Sequence, residues 1–232
     1  MFKKDEIAYL DKKKTVKIVY QDDDLLVVEK PAGLTVHPAE SEKGETLSEM
    51  LFKIFPENKI KPFPGIVHRL DKETSGLLIM AKNNLVKELL QSQFKKRKVK
   101  KRYLALVDGI VTPKAAVIML PLARKSTDRT KYSAKADGLV AKPTYRTIKN
   151  YTDKTLLELE PETGRTHQIR VHLAEISHPI IGDKKYGKES KDLSRLFLHA
   201  AYLCFSHPVK KQPMEFESSL PSTLKNYLET LD

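Results

Sequence analysis

An α+β fold, with a mixed and largely antiparallel central sheet flanked by helices and loops, is what the sequence predicts. Short β-branched and apolar runs follow one another with only turn residues between them, too often for a purely parallel sheet. Other stretches carry apolar residues at helical spacing. The 9 Gly and 13 Pro are scattered as turn punctuation, and no Gly/Ser linker, low-complexity tract or internal repeat divides the 232 residues. That length is about one and a half times a ~150-residue domain and buries roughly 70% of its unfolded surface, enough for a core without disulfide staples.

Residues 1 to about 14 are expected to form a short leader, and 15–232 one domain. Thr15 to Tyr20 and Leu25 to Glu29 predict two strands joined by the acidic turn Gln21 to Asp24, followed by a loop at Lys30-Pro31-Ala32-Gly33. Leu47, Met50, Leu51, Ile54 and Phe55 fall at helical spacing, with Pro56 just beyond as a stop signal. After a loop over His68 to Gly76, Leu77 to Ala81 is a short buried strand. Asn83 then caps a helix whose Leu85, Leu89, Leu90 and Phe94 are expected on one face. Tyr103 to Val107 is a strand leading to a turn at Asp108-Gly109. Further strands are expected at Ala115 to Met119, Pro143 to Tyr151, Leu156 to Glu160, Leu198 to Phe205 and Met214 to Phe216, with helices at Thr166 to Ile176 and Pro221 to Leu231. Residues 124–141 read as a mobile loop.

The single cysteine, Cys204, excludes a disulfide framework, a Cys-rich zinc ribbon and an iron-sulfur site, and agrees with a reducing compartment. Lys3, Lys4, Asp5 and Glu6 stand where a signal peptide needs apolar residues. The longest uncharged apolar run, Ala115 to Leu120, is far short of the ~20 residues that span a bilayer, so a cytoplasmic protein without membrane contact is expected.

The formal charge of +12 is the informative part of the composition. Lys95, Lys96, Arg97, Lys98, Lys100, Lys101 and Arg102 supply seven of those charges within eight residues, leaving +5 for the rest. A field so directed points to a polyanion, nucleic acid first, against the plainer reading of a solvated lysine-rich face. Cations at a helix C-terminus explain Lys95 to Lys98 by the helix dipole alone. They do not explain Lys100 to Arg102.

Two segments are dense in chemistry. His68-Arg69-Leu70-Asp71-Lys72-Glu73-Thr74-Ser75-Gly76 packs an imidazole, a guanidinium, two carboxylates and two hydroxyls into a loop between regular elements. Any one Asp-x-x-Thr is more often a capped turn. The kinase catalytic loop, Walker A, His-Glu-x-x-His, Gly-x-Ser-x-Gly, EF-hand and zinc deaminase patterns all fail on this chain. The second segment is Gly164-Arg165-Thr166-His167-Gln168-Ile169-Arg170-Val171-His172-Leu173, followed by His178-Pro179-Ile180-Ile181-Gly182-Asp183. In a helix from Thr166, Ile169, Leu173 and Ile176 make the core face and Arg170 rises about 100° around from Ile169. His167 and His172 are about 140° apart, not an i, i+4 metal pair, so no metal is expected.

Together with Glu29-Lys-Pro-Ala-Gly-Leu34 and Lys101-Arg-Tyr-Leu-Ala-Leu-Val107, these motifs, in this order, strongly resemble the RluA family of RNA pseudouridine synthases over about residues 15–220. The resemblance implies a cofactor-free uridine isomerase with a pseudouridine synthase catalytic domain. It implies that Asp71 is the essential carboxylate, attacking ribose C1′ or uracil C6 or assisting departure to a glycal. An ordinary aspartate is already ionised at neutral pH, so what the fold must supply is orientation and a dry pocket. By the same resemblance Arg170 pairs with the catalytic carboxylate, Tyr103 packs on the target base, and Arg69 fills the space left by the flipped nucleotide. Substrate contacts are further expected from His68, Thr74, Arg165, Ile180 or Ile181, and from the basic run Lys95 to Arg102.

Many relatives carry an S4-type module before the catalytic domain. Here only about 14 residues precede the first strand, so RNA affinity is expected from the domain itself, with Arg124, Lys125, Arg129 and Lys131 as added phosphate contacts. The partner is expected to be a ribosomal or transfer RNA stem-loop read at unpaired bases, by a monomer. Two other readings stand beside the isomerase: a non-catalytic RNA-binding or chaperone module on the same scaffold, and a glycosidase using Asp71 with Glu73.

Overall fold

A computed structural model describes residues 6–9, 15–38, 44–54 and 65–231. In chain order the elements are β1 (Glu6–Tyr9), β2 (Thr15–Gln21), β3 (Leu25–Lys30), α1 (Leu47–Ile54), β4 (Ser75–Ala81), α2 (Asn84–Lys95), β5 (Lys100–Asp108) and β6 (Ala115–Val117). They continue through β7 (Leu122–Arg124), β8 (Tyr132–Ala134), β9 (Pro143–Asn150), β10 (Lys154–Pro161), α3 (Gln168–Glu175), β11 (Leu198–Ser206), β12 (Pro213–Glu217) and α4 (Ser222–Glu229). The fold is α+β and the sheet is largely antiparallel, as the adjacency of the strand runs requires. The chain forms two compact units, Met1–Lys100 with Tyr202–Ser218, and Lys101–Ala201 with Ser219–Asp232. Among the described residues no helix is long and apolar enough to cross a membrane.

In the first unit β1 to β4 follow one another as antiparallel neighbours. β1 lies within the stretch read as leader; its residues are too few to show a period. β4 is buried along all seven residues, the signature of a strand covered on both faces. Val27 and Ile79 stand opposite each other and pack with Leu25, Leu77, Val86 and Leu90. Thr46 and Glu49 form a capping box at the start of α1: Thr46 N–H donates to Glu49 Oε2 (2.9 Å) and Glu49 N–H to Thr46 Oγ1 (3.4 Å). Phe55, expected as the last residue of this helix, lies outside the described residues.

Asn83 caps α2 as expected, its side chain accepting from Val86 N–H at 2.9 Å. Of the expected face, Leu90 is fully buried and Phe94 packs against the same core, but Leu85 is 63% exposed and Val86 is fully buried in its place. One residue along a helix is about 100° of rotation, and spacing alone does not choose between Leu85 and its neighbour. Arg97 ends α2 in a left-handed conformation (φ 56°), with Lys98 N–H on Gln93 O and Arg97 N–H on Phe94 O, a Schellman closure built without glycine.

The acidic turn after β2 is tied to the residues before β12. Asp22 Oδ2 accepts from Tyr20 (2.7 Å), Lys210 (2.7 Å) and His207 Nε2 (2.8 Å), and its Oδ1 from the Asp24 and Leu25 amides. His207 Nδ1 accepts the Val209 and Lys210 amides, so its proton sits on Nε2 and no ring lone pair is left for a cation. Asp22, Asp24 and His207 are close enough to hold a metal, but these bonds make them a structural staple.

In the second unit β5, β10, β9 and β6 form an antiparallel run, Tyr103 standing opposite Leu159. α3 and α4 cover it: Ile169, Leu173, Leu224 and Tyr227 pack with Leu106, Leu157 and Phe197. Residues 124–141 are not a loose loop. β7 and β8 pair through Leu122–Ala134 and Arg124–Tyr132, and Leu122 and Leu139 exchange backbone hydrogen bonds. Strands of three residues are too short for alternation to reveal them.

Candidate active site

The candidate residues fall into two groups, one in each unit. In the first, Asp71 is half-buried in a turn closed by Thr74 N–H on Asp71 O (3.1 Å), immediately before β4. The turn is pinned from the Lys30-Pro-Ala-Gly33 loop. Gly33, at φ +78°, donates its N–H to Lys72 O (2.8 Å). Lys30, fully buried, donates from Nζ to the same carbonyl (3.0 Å) and to Pro31 O and Leu34 O (both 2.9 Å). Three donors of one ammonium therefore meet three carbonyls, one of them on the residue after Asp71. Lys30→Met keeps the apolar stem and removes the ammonium from all three carbonyls, leaving Lys72 O with the Gly33 N–H. It is expected to lower stability by about 3 kcal/mol in a denaturant titration and to reduce turnover by loosening the Asp71 turn.

Thr74 is 2% exposed, and its hydroxyl has no hydrogen-bond partner among the described residues. His68 accepts Ile79 N–H at Nε2 (3.0 Å) and stacks on Phe94 with ring centroids 4.7 Å apart, so its ring braces β4 against α2. Arg69 is exposed. Burial, and then the Arg69 charge, hold the His37 imidazole below its ordinary range. From the basic run Lys95, Lys96, Arg97, Lys98 and Lys100 are exposed.

The rest of that run differs from the expectation. Lys101 is 9% exposed, its ammonium pushed down by burial, and a Cβ at Gly164 would meet its Nζ at 3.9 Å. Arg102 pairs with Glu158 (3.3 Å), which also holds Arg146 (2.7 Å). A strand turns alternate side chains to opposite faces, so a run of like charges entering β5 is not uniformly solvated. Lys101 is not a surface phosphate contact, and Arg102 is already partnered.

In the second unit Tyr103 is half-buried on β5 against the core. α3 starts at Gln168, not at Thr166, because His167 is left-handed (φ 55°) at its N-cap. Arg165 is exposed, and the turn carrying it is fixed by Gln168 Oε1, which accepts from Thr163 Oγ1 (2.6 Å) and Arg165 N–H (3.1 Å). His172 is buried between Gln168 O (2.7 Å) and Leu120 O (2.9 Å), a hydrogen-bonded structural histidine. Ile180, expected at the base, is 1% exposed and pairs with Val107 in the core; Ile181 beside it is only partly buried.

Arg170 is 7% exposed and grips Asp183 with two parallel bonds, Nε to Oδ2 (2.8 Å) and Nη2 to Oδ1 (2.7 Å). Asp183, 1% exposed, also accepts the amides of Lys185 (2.9 Å) and Tyr186 (3.1 Å). Burial pushes its carboxyl up, and Arg170 with those amides outweighs it, so the group lies below the ordinary carboxylate value. Sequence reasoning does not select Asp183. The one signal is Gly182 before it: at φ +76° a Cβ there would stand 2.1 Å from Arg195 O, so only glycine brings the chain this close.

The profile of a family described as RNA pseudouridylate synthase matches residues 24–175. The chain is 40% identical over 231 residues to an uncharacterized RNA pseudouridine synthase of Aquifex aeolicus, covering 94% of this chain and 73% of that protein. It is 41% identical over 225 residues to ribosomal large subunit pseudouridine synthase D of Nitrosomonas europaea, covering 93% and 65%. The solved structure of human RNA pseudouridylate synthase domain containing 4 matches with a TM-score of 0.76 at 28% identity, over 92% of each chain.

Proposed function

The chain belongs to the RNA pseudouridylate synthase family, and from that premise we propose that it converts specific uridines of large-subunit ribosomal RNA to pseudouridine, with Asp71 as the essential carboxylate. The named relatives that modify the large ribosomal subunit support the choice of RNA. Transfer RNA stem-loops are the second substrate class. The enzyme works as a monomer in the cytoplasm.

The reaction breaks the N1–C1′ bond, turns the uracil and joins C5 to C1′; C5 loses a proton and N1 gains one, so nothing is consumed. Asp71 acts at C1′ or C6, or assists departure of the base. Arg170 supplies a guanidinium held in one plane, and the half-buried face of Tyr103 suits a stacked base. Arg69, exposed beside Asp71, occupies the space left by the flipped nucleotide, whose unstacking costs a few kcal/mol. The observation that carries this reading is the pinned Asp71 turn, in which Lys30 and Gly33 together fix the carbonyl of Lys72. An isomerase that must hold a carboxylate against a moving base needs a turn that does not move.

The test is tritium release from ribosomal and transfer RNA transcripts labelled at uridine C5, without added metal or nucleotide. Release from the ribosomal transcript is the expected result. Tight binding without release from either RNA would replace the isomerase with an RNA-binding module.

Phosphate contacts come from Lys95, Lys96, Arg97, Lys98 and Lys100, and from the β7–β8 hairpin. Reversing the charge at Lys95, Lys96 and Lys98 is expected to weaken RNA binding and to make the salt dependence shallower, by about 0.7–0.9 for each phosphate no longer neutralised. Affinities measured across a salt series check it; an unchanged slope removes this patch from the interface.

A further inference from the structure

Tyr186 has no assigned part in the reaction, yet three features of the fold meet on it. Its backbone N–H donates to Asp183 Oδ1 (3.1 Å), the carboxylate that grips Arg170. Its ring lies under the guanidinium, with Arg170 Cζ 5.3 Å from the ring centroid. Its hydroxyl accepts the N–H of Tyr132 on β8 (3.0 Å) and stands 2.8 Å from His167 Nδ1. The hydroxyl oxygen accepts from the Tyr132 amide and shares a second hydrogen bond with the His167 ring, so one phenol links the β8 backbone to the N-cap residue of α3.

The hairpin on the other side of that bond is the basic one. Arg124 and Lys125 are exposed on it, and the Arg124 guanidinium lies 5.6 Å from the Tyr132 ring centroid, with Nε donating to Tyr132 Oη (3.0 Å). A second tie runs from Ala134 N–H to Glu175 Oε1 (3.0 Å) on α3. The hairpin is thus latched at two points to the helix that carries Arg170, and one latch is the residue on which the guanidinium rests.

We propose that Tyr186 is a positioning residue that joins RNA held on the β7–β8 hairpin to the Arg170 guanidinium, so that engagement of the backbone phosphates also fixes the cation used at the reacting uridine. This deepens the isomerase reading and rests on it. The phenol hydroxyl carries the tie to the hairpin and the ring carries the support of the guanidinium, so the two contributions are separable.

Tyr186→Phe keeps the ring and the backbone amide and removes only the hydroxyl. In tritium release from the ribosomal transcript it is expected to raise KM roughly five- to tenfold, the range of one missing hydrogen bond, with kcat falling less. Tyr186→Leu also removes the ring and is expected to lower kcat further at the KM of the Tyr186→Phe variant. Thermal melts of both establish that they are folded, and Tyr186→Phe stands alone if Tyr186→Leu is not. The decisive measurement is a double-mutant cycle between Tyr186→Phe and the hairpin pair Arg124→Ala with Lys125→Ala. With Tyr186 intact, the hairpin pair is expected to raise KM and lower kcat; in the Tyr186→Phe background, it is expected to change KM alone. Effects on kcat that simply add overturn the coupling while leaving the isomerase standing. A hairpin pair that leaves KM unchanged removes the phosphate contact on which the coupling depends, and no tritium release from the unaltered protein overturns the isomerase reading itself.

Discussion

Asp71→Asn is expected to release no measurable tritium from a C5-labelled ribosomal transcript, a loss of at least ~10⁴-fold in turnover of the size seen when an essential nucleophile is removed, with RNA affinity retained. The substitution is close to isosteric and removes the negative charge, so it leaves the groups that build the turn in place. Thr74 N–H still reaches Asp71 O, and Lys72 O still accepts from Gly33 and Lys30, because these are backbone oxygens. Loss of turnover with binding intact would therefore report on chemistry and not on folding. Turnover within tenfold of the unaltered protein would remove Asp71 from the mechanism.

Asp183→Ala is expected to lower stability by about 3–5 kcal/mol, the usual cost of stripping one partner from a buried ion pair. The guanidinium of Arg170 sits at 7% exposure, and without Asp183 it loses a bidentate partner where water does not readily replace it. The amides of Lys185 and Tyr186 lose their acceptor too. The same pair makes a prediction in pH. The Asp183 carboxyl lies below its ordinary value of 3.8 in the folded chain, so its stabilisation is fully present above that value and is lost as pH falls through the lower, folded one. Thermal melts between pH 7 and pH 3 are expected to show the unaltered protein losing part of its stability below about pH 4, and Asp183→Asn following a flatter curve from a lower start. A variant whose melting temperature is unchanged at pH 7 would mean that Arg170 is held by other groups.

Asp71 and Asp183 are not equally legible in the sequence. Asp71 stands out because the carboxylate, its neighbouring arginine and its hydroxyls lie within nine consecutive residues, and a turn of that kind is local chemistry. Asp183 is thirteen positions from Arg170 and outside its helix, and nothing in its own neighbours except Gly182 marks it. Leu85 and Val86 show the same limit in the core: both fit an amphipathic helix, and the choice between them is a rotation of about 100° that only the packed partner fixes. The run from Lys95 to Arg102 shows it for charge. Five of its seven cations are exposed, but Lys101 turns inward and Arg102 meets Glu158 once the chain becomes β5.

What the sequence by itself determined was carried by short-range order: the two strands from Thr15 to Glu29 with the acidic turn between them, the Asn83 cap, the helix that carries Arg170, and the motifs that point to an RNA pseudouridine synthase. The strands, the cap and the helix depend on periods of two or 3.6 residues and on turn chemistry, which neighbours along the chain already specify, whereas the motifs point to the enzyme by their resemblance to a known family. Only the tertiary structure decided that Lys30 is a buried clamp on the Asp71 turn, that Asp183 grips Arg170, and that Tyr186 ties both to a hairpin too short to be read as strands. Each of those is a contact between residues distant in sequence, and its partner is chosen by burial: a polar group taken out of water must find a hydrogen bond among whatever the fold brings beside it.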